Sequence, residues 1–302
     1  MPSSIPTQPL GRDGPLIPTL GFGAMGLSAF YGSTGTEAER LAVLDRAYGL
    51  GVWHWDTADM YSDNEDLIGK WLCANPSKRS SIFLATKFGE ILQEHGLQLR
   101  SDQEYMLQAC ERSLKRLGVE YIDLYYCHRM DGITPIEKTA EAMAELQKYV
   151  SYPTNHLYIL TRSAIGKERS AIWNFLNCQQ NHCVEHTMYT PLPHYKWHTP
   201  IRAFHRVGCY TTPIHMSRAR CRPVAYSPLA RGFLSGRYTS PNDFEEGDFR
   251  KLAPRFSAKI FPKNLLLLRK FEEVASRKGV TSGQLCLAWL LAQGNDIFVI
   301  PG

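Results

Sequence analysis

Three separated segments of this chain have the composition of buried β-strands, and each of them ends on a reactive side chain. The segments are residues 51–61 with Asp56 and Tyr61, residues 82–87 with Lys87, and residues 122–128 with His128. A buried strand rarely carries a charge, so an ionisable group where an apolar run stops indicates a cleft built from strand ends. In a barrel of parallel strands, the catalytic side chains lie at this edge.

The four side chains together favour proton transfer to a carbonyl oxygen. A phenol titrates near ~10 and is a poor proton donor at neutral pH, but a neighbouring ammonium stabilises the phenolate and lowers the pKa. Lys87 is the candidate ammonium for Tyr61, and Asp56 would keep that lysine charged and oriented. His128 could hydrogen-bond a substrate carbonyl. Tyr61 would then protonate the oxygen while a hydride reaches the carbon.

Each of these residues also has a purely structural explanation. Asp56 could cap a helix, Lys87 could be a solvated strand end, and His128 could be a buried histidine with its hydrogen bonds satisfied. Taken singly, these explanations are adequate. The placement of all of them at successive strand ends favours the catalytic interpretation.

Strand and helix patterns alternate up to residue 148, which predicts a parallel sheet. Ser101 and Thr134 each begin a capping-box sequence, so a helix is expected to start after each of them. In the first of these helices apolar residues recur at helical spacing until Gly118, which is the expected stop.

Several short stretches of the chain match a known family in order and spacing. They are residues 20–28, 55–59, 85–89, 112–118, 121–126, 225–234, 284–290 and 300–302. On these stretches the chain resembles the aldo-keto reductases, and within them the pyridoxal-reductase-like and YakC-like branch. The resemblance covers roughly residues 9 to 148 and 223 to 302.

The resemblance implies one domain over residues 1–302, folded as an α/β protein of the (β/α)8 TIM-barrel class. It implies NADPH as hydride donor and a small-molecule aldehyde or ketone as substrate, reduced to an alcohol. The implied catalytic tetrad is Asp56, Tyr61, Lys87 and His128. The implied cofactor-binding residues are Gly23, Ala24 and Met25 at the nicotinamide end, and Ser227, Leu229, Gly232 and Leu234 around the pyrophosphate.

Residues 149–222 depart from the family and show no sustained strand or helix period. Codon degeneracy allows residues 149–165 to be a retained intron and residues 166 to about 221 to be an out-of-frame translation. The chain also stops at Gly302, where the family continues into a segment that holds the adenosine 2′-phosphate. We therefore expect a barrel that is incomplete or disrupted between about 149 and 222. The alternative function is a non-catalytic or defective barrel relative, either partner-binding or misfolded.

Composition excludes several other classes of protein. A net charge of +5 over 302 residues predicts no affinity for nucleic acid or membranes, and no apolar run is long enough to span a bilayer. The start of the chain lacks a secretory signal pattern, so a cytoplasmic enzyme is expected. The sequence does not indicate an oligomeric state.

One group of residues resembles a metal site without matching one. Cys178, His182, Cys183 and His186 lie close together in the aberrant segment. Their spacing fits no standard zinc motif, and out-of-frame translation would scatter such residues by chance. No bound metal is expected.

Overall fold

The computed structural model describes residues 5–11, 14–94, 96–150 and 222–302, together with a two-residue strand at Tyr158–Ile159. The strands are β1 Thr7–Pro9, β2 Leu16–Pro18, β3 Phe22–Gly23, β4 His54–Asp56, β5 Phe83–Phe88, β6 Glu90–Gln93, β7 Gly96–Leu99, β8 Leu124–Cys127, β9 Tyr158–Ile159, β10 Val224–Tyr226 and β11 Phe298–Ile300. The α-helices are α1 Glu37–Gly49, α2 Asn64–Ala74, α3 Gln103–Leu117, α4 Ile136–Val150, α5 Phe261–Arg277 and α6 Ser282–Leu291.

The predicted disruption lies almost entirely outside the described residues. Within residues 149–222 the structure describes only the end of α4, strand β9 and Arg222. The proposed group of Cys178, His182, Cys183 and His186 lies outside the described residues as well.

The central strands are parallel, as the alternating pattern predicted. Strands β3, β4, β5, β8 and β9 are neighbours in that order in one sheet, and β10 pairs with β11. A bridge between Leu20 and Val299 joins the chain just before β3 to β11. Helices α1, α2, α3 and α4 each follow one of these strands, so the strands carry their C-terminal ends at one common edge.

The opposite edge of the sheet is closed by the first hairpin. Strands β1 and β2 pair antiparallel, and Ile17 of β2 packs against Phe83, Leu124 and Phe298. Those three residues are the first residues of β5, β8 and β11. The hairpin therefore covers the N-terminal ends of the strands, and it does not cover their C-terminal ends.

Helix α3 ends where the sequence predicted but begins one residue later. Gly118 is its C-cap in the left-handed conformation, with φ 63°. The N-cap is Asp102, whose side chain accepts from the Tyr105 N–H, whereas Ser101 was expected to be the cap. Ser101 is buried and exchanges hydrogen bonds with Asp131 instead. Aspartate caps a helix as well as serine does, so the cap moves at little cost.

Helices α2 and α3 approach each other unusually closely. A Cβ added at Gly69 in α2 would lie 2.4 Å from the carbonyl oxygen of Arg116 in α3. Only glycine permits this approach, and it fixes the end of α3 beside the middle of α2.

Residues 229–286 build a second apolar cluster around aromatic rings. Phe233, Phe244, Phe256 and Phe261 lie at its centre and contact one another mostly edge to face. Arg250 lies over the Phe244 ring and forms a buried ion pair with Asp248. Among the described helices, none combines the length and the apolar character that crossing a bilayer requires.

Candidate active site

The four predicted catalytic residues lie together at the C-terminal edge of the sheet. Asp56 is the last residue of β4, Lys87 lies near the end of β5, and His128 directly follows β8. Tyr61 lies in the turn between β4 and α2. Strand register explains the convergence, because Asp56 pairs with Ala85 while Lys87 pairs with Tyr126.

Lys87 and Asp56 form a buried ion pair. Lys87 Nζ lies 2.6 Å from Asp56 Oδ1 and donates a second hydrogen bond, also 2.6 Å, to the Thr57 carbonyl oxygen. The two side chains are only 7% and 6% exposed. Burial by itself lowers the pKa of Lys87, but Asp56 and two tyrosines outweigh it and raise that pKa well above its ordinary value. The lysine therefore stays charged.

The Tyr61 hydroxyl lies between the lysine and the histidine. Its oxygen is 3.4 Å from Lys87 Nζ and 3.4 Å from His128 Nε2. Burial raises the pKa of Tyr61, and the Lys87 charge lowers it without cancelling that effect. The sequence correctly predicted the direction of the lysine's influence, but burial is the larger effect. The phenol is thus protonated at neutral pH, as a proton donor must be.

His128 is a neutral imidazole in this environment. Burial lowers its pKa well below the ordinary value, and the nearby charges of Lys87 and Arg129 lower it further. Its Nδ1 lies 3.4 Å from Glu90 Oε2 without making a hydrogen bond. Glu90 instead pairs with Arg129 at 2.6 Å. A neutral ring can present Nε2 to a substrate oxygen as a hydrogen-bond donor.

Sequence reasoning missed Tyr126. Its hydroxyl donates to Asp56 Oδ2 at 2.6 Å, so each carboxylate oxygen of Asp56 has its own partner. The signal was present, because Tyr126 stands two residues before His128 and so faces the same side of the strand. Burial and the Asp56 charge raise the pKa of Tyr126 well above its ordinary value.

The residues predicted at the nicotinamide end lie next to the ion pair. Gly23 ends β3 beside Asp56, and a Cβ there would lie 2.8 Å from the Ile300 carbonyl oxygen. Ala24 is fully buried, and Asn64 holds its carbonyl oxygen at 2.8 Å. Met25 is partly exposed. Of these three residues, only Met25 has a side chain with surface available for a ligand.

The predicted pyrophosphate loop has an unusual backbone. It follows β10, and residues Ser227, Ala230, Arg231 and Gly232 all have positive φ. Leu234 is buried in the aromatic cluster and Leu229 packs against that cluster, so their side chains hold the loop in place. Strained residues concentrate at ligand-binding loops. With the positive charge of Arg231, this loop fits an anionic group such as a pyrophosphate.

The chain is similar to proteins of one family. The chain matches the sequence model of the Aldo/keto reductase family over residues 19–149 and 216–302. It is 41% identical to "Aldo-keto reductase yakc [NADP(+)]" of Schizosaccharomyces pombe, over 99% of this chain and 83% of that protein. It is 39% identical to "Aldo-keto reductase str7" of Strobilurus tenacellus, with the same two coverages.

Solved structures share the fold at lower identity. The glycerol dehydrogenase AKR11B4 from Gluconobacter oxydans superposes with a TM-score of 0.69 at 22% identity, over 99% of this chain and 86% of that one. The aldo-keto reductase AKR11C1 from Bacillus halodurans superposes with a TM-score of 0.63 at 22% identity, over 98% and 85%. At such identities the likeness establishes the (β/α)8 barrel fold and nothing finer.

Proposed function

This chain belongs to the aldo/keto reductase family, and we propose that it is an NADPH-dependent oxidoreductase that reduces an aldehyde or ketone to an alcohol. One observation carries the proposal: the Tyr61 oxygen lies 3.4 Å from both Lys87 Nζ and His128 Nε2. A proton donor, a charge that stabilises its conjugate base and a second hydrogen-bond donor are thus within reach of one carbonyl oxygen. The similarity to a yeast enzyme named for NADP(+) supports the choice of cofactor.

The residues of the site divide the work of carbonyl reduction. The substrate oxygen accepts hydrogen bonds from Tyr61 Oη and His128 Nε2, which polarise the C=O bond. The chemistry that NADPH would supply here when bound is a hydride, with its electron pair, for the carbonyl carbon. Tyr61 transfers its proton to the oxygen, which balances the charge and completes the alcohol. The Lys87 ammonium stabilises the phenolate left on Tyr61 until solvent returns a proton.

The cofactor would lie along the same edge. In the proposal, Gly23, Ala24 and Met25 border the nicotinamide ring. Gly23 and Ala24 would contact it through their backbone atoms, and Met25 would contact it through its side chain. The loop with Ser227, Leu229, Gly232 and Leu234 holds the pyrophosphate. Support for this arrangement comes from the parallel strand ends, since β3 and β10 both carry these residues at their C-terminal ends.

An aromatic aldehyde of the pyridoxal type is the substrate class to test first. The Phe30 ring contacts Tyr61 edge to face at 6.3 Å between centroids and Phe249 at 5.8 Å. These rings place apolar surface next to the proton donor, where another aromatic ring can pack. The cytoplasmic location and the lack of nucleic-acid or membrane partners stay predictions from the sequence.

The test is cofactor binding and turnover of the full chain, with a Tyr61→Phe variant. We expect saturable NADPH binding, an upward shift of the melting temperature, and reduction of an aldehyde panel that includes pyridoxal. In Tyr61→Phe we expect kcat to fall by about 10²–10⁴-fold, because the general acid is lost, with NADPH affinity unchanged.

Tyr48→Phe is the matched control, because its hydroxyl contacts Ser81 at 3.1 Å, away from the site. This variant should turn over like the parent. A Tyr61→Phe variant with parental kcat would contradict the assignment of the acid. No cooperative melt and no cofactor binding would support the alternative, a non-catalytic or defective barrel relative.

A further inference from the structure

Arg116, near the C-terminal end of α3, holds the turn that carries Tyr61. Its Nη1 donates to the Asp59 carbonyl oxygen at 2.9 Å, and its Nη2 donates to the Ser62 carbonyl oxygen. These two carbonyl groups lie on either side of Tyr61 in the chain. Ser62 has a positive φ of 52°, a conformation that a non-glycine residue adopts only when its surroundings impose it. The guanidinium supplies that constraint.

The same guanidinium is fixed from the other side by α2. Its Nε and Nη2 donate to Asp66 Oδ2 at 2.9 and 2.8 Å, and Nη1 also lies 3.2 Å from Glu65 Oε2. The planar guanidinium of arginine presents its N–H groups in a rigid arrangement, here called the fork, that can bind several acceptors at once. A lysine ammonium cannot do this. The close contact at Gly69 prevents α3 from sliding relative to α2, so the fork stays aligned.

Glu65 extends this network to the strand that carries Lys87. Its side chain is fully buried, and its Oε1 accepts from the Thr86 hydroxyl at 2.7 Å. Thr86 directly precedes Lys87 in β5. The chain of contacts Arg116, Glu65 and Thr86 therefore connects the turn of the phenol to the strand of the ammonium.

We propose that Arg116 is a positioning residue that sets the Tyr61 hydroxyl relative to Lys87 Nζ. The inference rests on the proposed function, in which Tyr61 is the proton donor. Arg116 does not reach the reacting atoms, since its contacts end at the backbone of residues 59 and 62 and at two carboxylates. It acts through the turn, and a misplacement of about 1 Å in such a site can cost about 100-fold in rate.

The decisive variant is Arg116→Lys, which keeps the positive charge beside Glu65 and loses the fork. We expect kcat to fall roughly 10- to 100-fold, while NADPH affinity and KM change less than threefold. Lys115→Gln is the control, because Lys115 is the exposed neighbour on α3. It should keep parental kcat. An Arg116→Lys variant that melts earlier but keeps parental kcat would show a merely structural role and overturn the proposal.

A spectroscopic measurement makes the result independent of turnover. The chain has 15 tyrosines, and in protein labelled with ¹³C at the tyrosine Cζ the Tyr61 signal is the one missing from Tyr61→Phe. We expect this signal to shift in Arg116→Lys and to stay in place in Lys115→Gln. An unshifted signal in Arg116→Lys would overturn the proposal even if no substrate is found. If the signal shifts in Arg116→Lys but the parent protein has no reductase activity, the result counts against the proposed function alone.

A second variant covers the case in which Arg116→Lys does not fold. Glu65→Met keeps roughly the side-chain volume but removes both oxygens, so neither the contact with Arg116 nor the hydrogen bond from Thr86 can form. We expect a roughly 10-fold lower kcat and a shifted Tyr61 signal. A folded Glu65→Met protein with parental kcat and an unshifted signal would overturn the proposal.

Discussion

At the scale of single residues, the carboxylate of Asp56 is the best-fixed group of the site. Lys87 holds one oxygen and Tyr126 holds the other, both at 2.6 Å. A buried carboxylate needs every one of these bonds, because an unsatisfied buried acceptor is costly. Removing one partner should therefore disturb both stability and the orientation of the lysine.

Tyr126→Phe tests this requirement. We expect the free energy of unfolding to fall by about 1–3 kcal/mol, because a buried charged acceptor loses its donor, and kcat to fall several-fold. Urea denaturation and turnover measure the two effects. Tyr125→Phe is the matched control, since its buried hydroxyl binds the Met106 carbonyl oxygen at 3.2 Å on the other side of the strand. A loss of kcat equal to that of Tyr126→Phe in this control would contradict the assignment.

Asp59 has a partly buried carboxyl group whose negative charge is disfavoured in the folded protein. Its pKa is raised from 3.8 to about 7, first by burial and then by the nearby Glu65. One of its oxygens, Oδ1, has no hydrogen-bond partner. Between pH 3.8 and about 7 the folded state keeps a proton that the unfolded state has lost. Folding stability from this group therefore falls as pH rises through that window.

Asp59→Asn should remove this penalty. An amide can still accept from the Tyr105 hydroxyl, which lies 3.3 Å from the carboxylate. We expect the variant to melt above the parent at pH 8, with a difference that shrinks towards pH 4. Asp63→Asn is the control of opposite sign, because a hydrogen bond from Arg40 lowers the pKa of Asp63. It should melt below the parent at pH 8. Equal melting of Asp59→Asn and parent at pH 8 would contradict the raised pKa.

At the scale of elements, Asp131 organises the connection from β8 to α4. It accepts from the N–H groups of Ser101, Ile133 and Thr134, and from the Thr134 hydroxyl. Burial by itself raises the pKa of Asp131, but these hydrogen bonds outweigh it and hold the pKa well below the usual range. The stabilisation is present above the ordinary aspartate pKa and is lost only in strong acid.

Asp131→Ala should therefore lower the free energy of unfolding by about 2 kcal/mol at pH 7, because several hydrogen bonds to one charged acceptor are lost. Urea denaturation measures the change. Glu111→Ala, at an exposed position of α3, is the control and should stay within about 0.5 kcal/mol of the parent. An equal effect in both variants would contradict a specific role of Asp131.

The helix boundaries show what local sequence can and cannot define. Gly118 ends α3 as predicted, because the left-handed conformation there is a local property of glycine. The N-cap is Asp102 and not Ser101, because Ser101 hydrogen-bonds Asp131, which lies 30 residues later in the connection from β8 to α4. Both residues are good caps, and only the packed loop decides between them.

At the scale of the whole molecule, β3 and the end of β11 bring the start and the end of the described sheet together. The Gly23 N–H donates to the Pro301 carbonyl oxygen at 2.7 Å, and no side chain fits at Gly23 without meeting the Ile300 carbonyl. The glycine was predicted for its place near the nicotinamide. In the structure Gly23 also lets the end of β3 and the end of β11 approach each other closely.

Gly23→Ala should lower the free energy of unfolding by about 1–3 kcal/mol through overpacking. Gly49→Ala is the matched control, because a Cβ at that position of α1 meets nothing within 4 Å. It should be neutral or slightly stabilising, since alanine favours the helix. Calorimetric melting of both proteins measures the difference. An unchanged stability in Gly23→Ala would show that the backbone contact between β3 and β11 relaxes at little cost.

The sequence by itself predicted the parallel α/β architecture up to residue 148 and the placement of four ionisable residues at or just after the strand ends. Both follow from local patterns, because strand and helix periods and the ionisable ends of apolar runs are visible along the chain. The tertiary structure alone decided the second partner of Asp56, the dominance of burial over Lys87 in the pKa of Tyr61, and the contacts of Arg116 around the Tyr61 turn. These features depend on which strands and helices become neighbours. Contacts between segments tens of residues apart form only when the chain packs, so no local pattern predicts them.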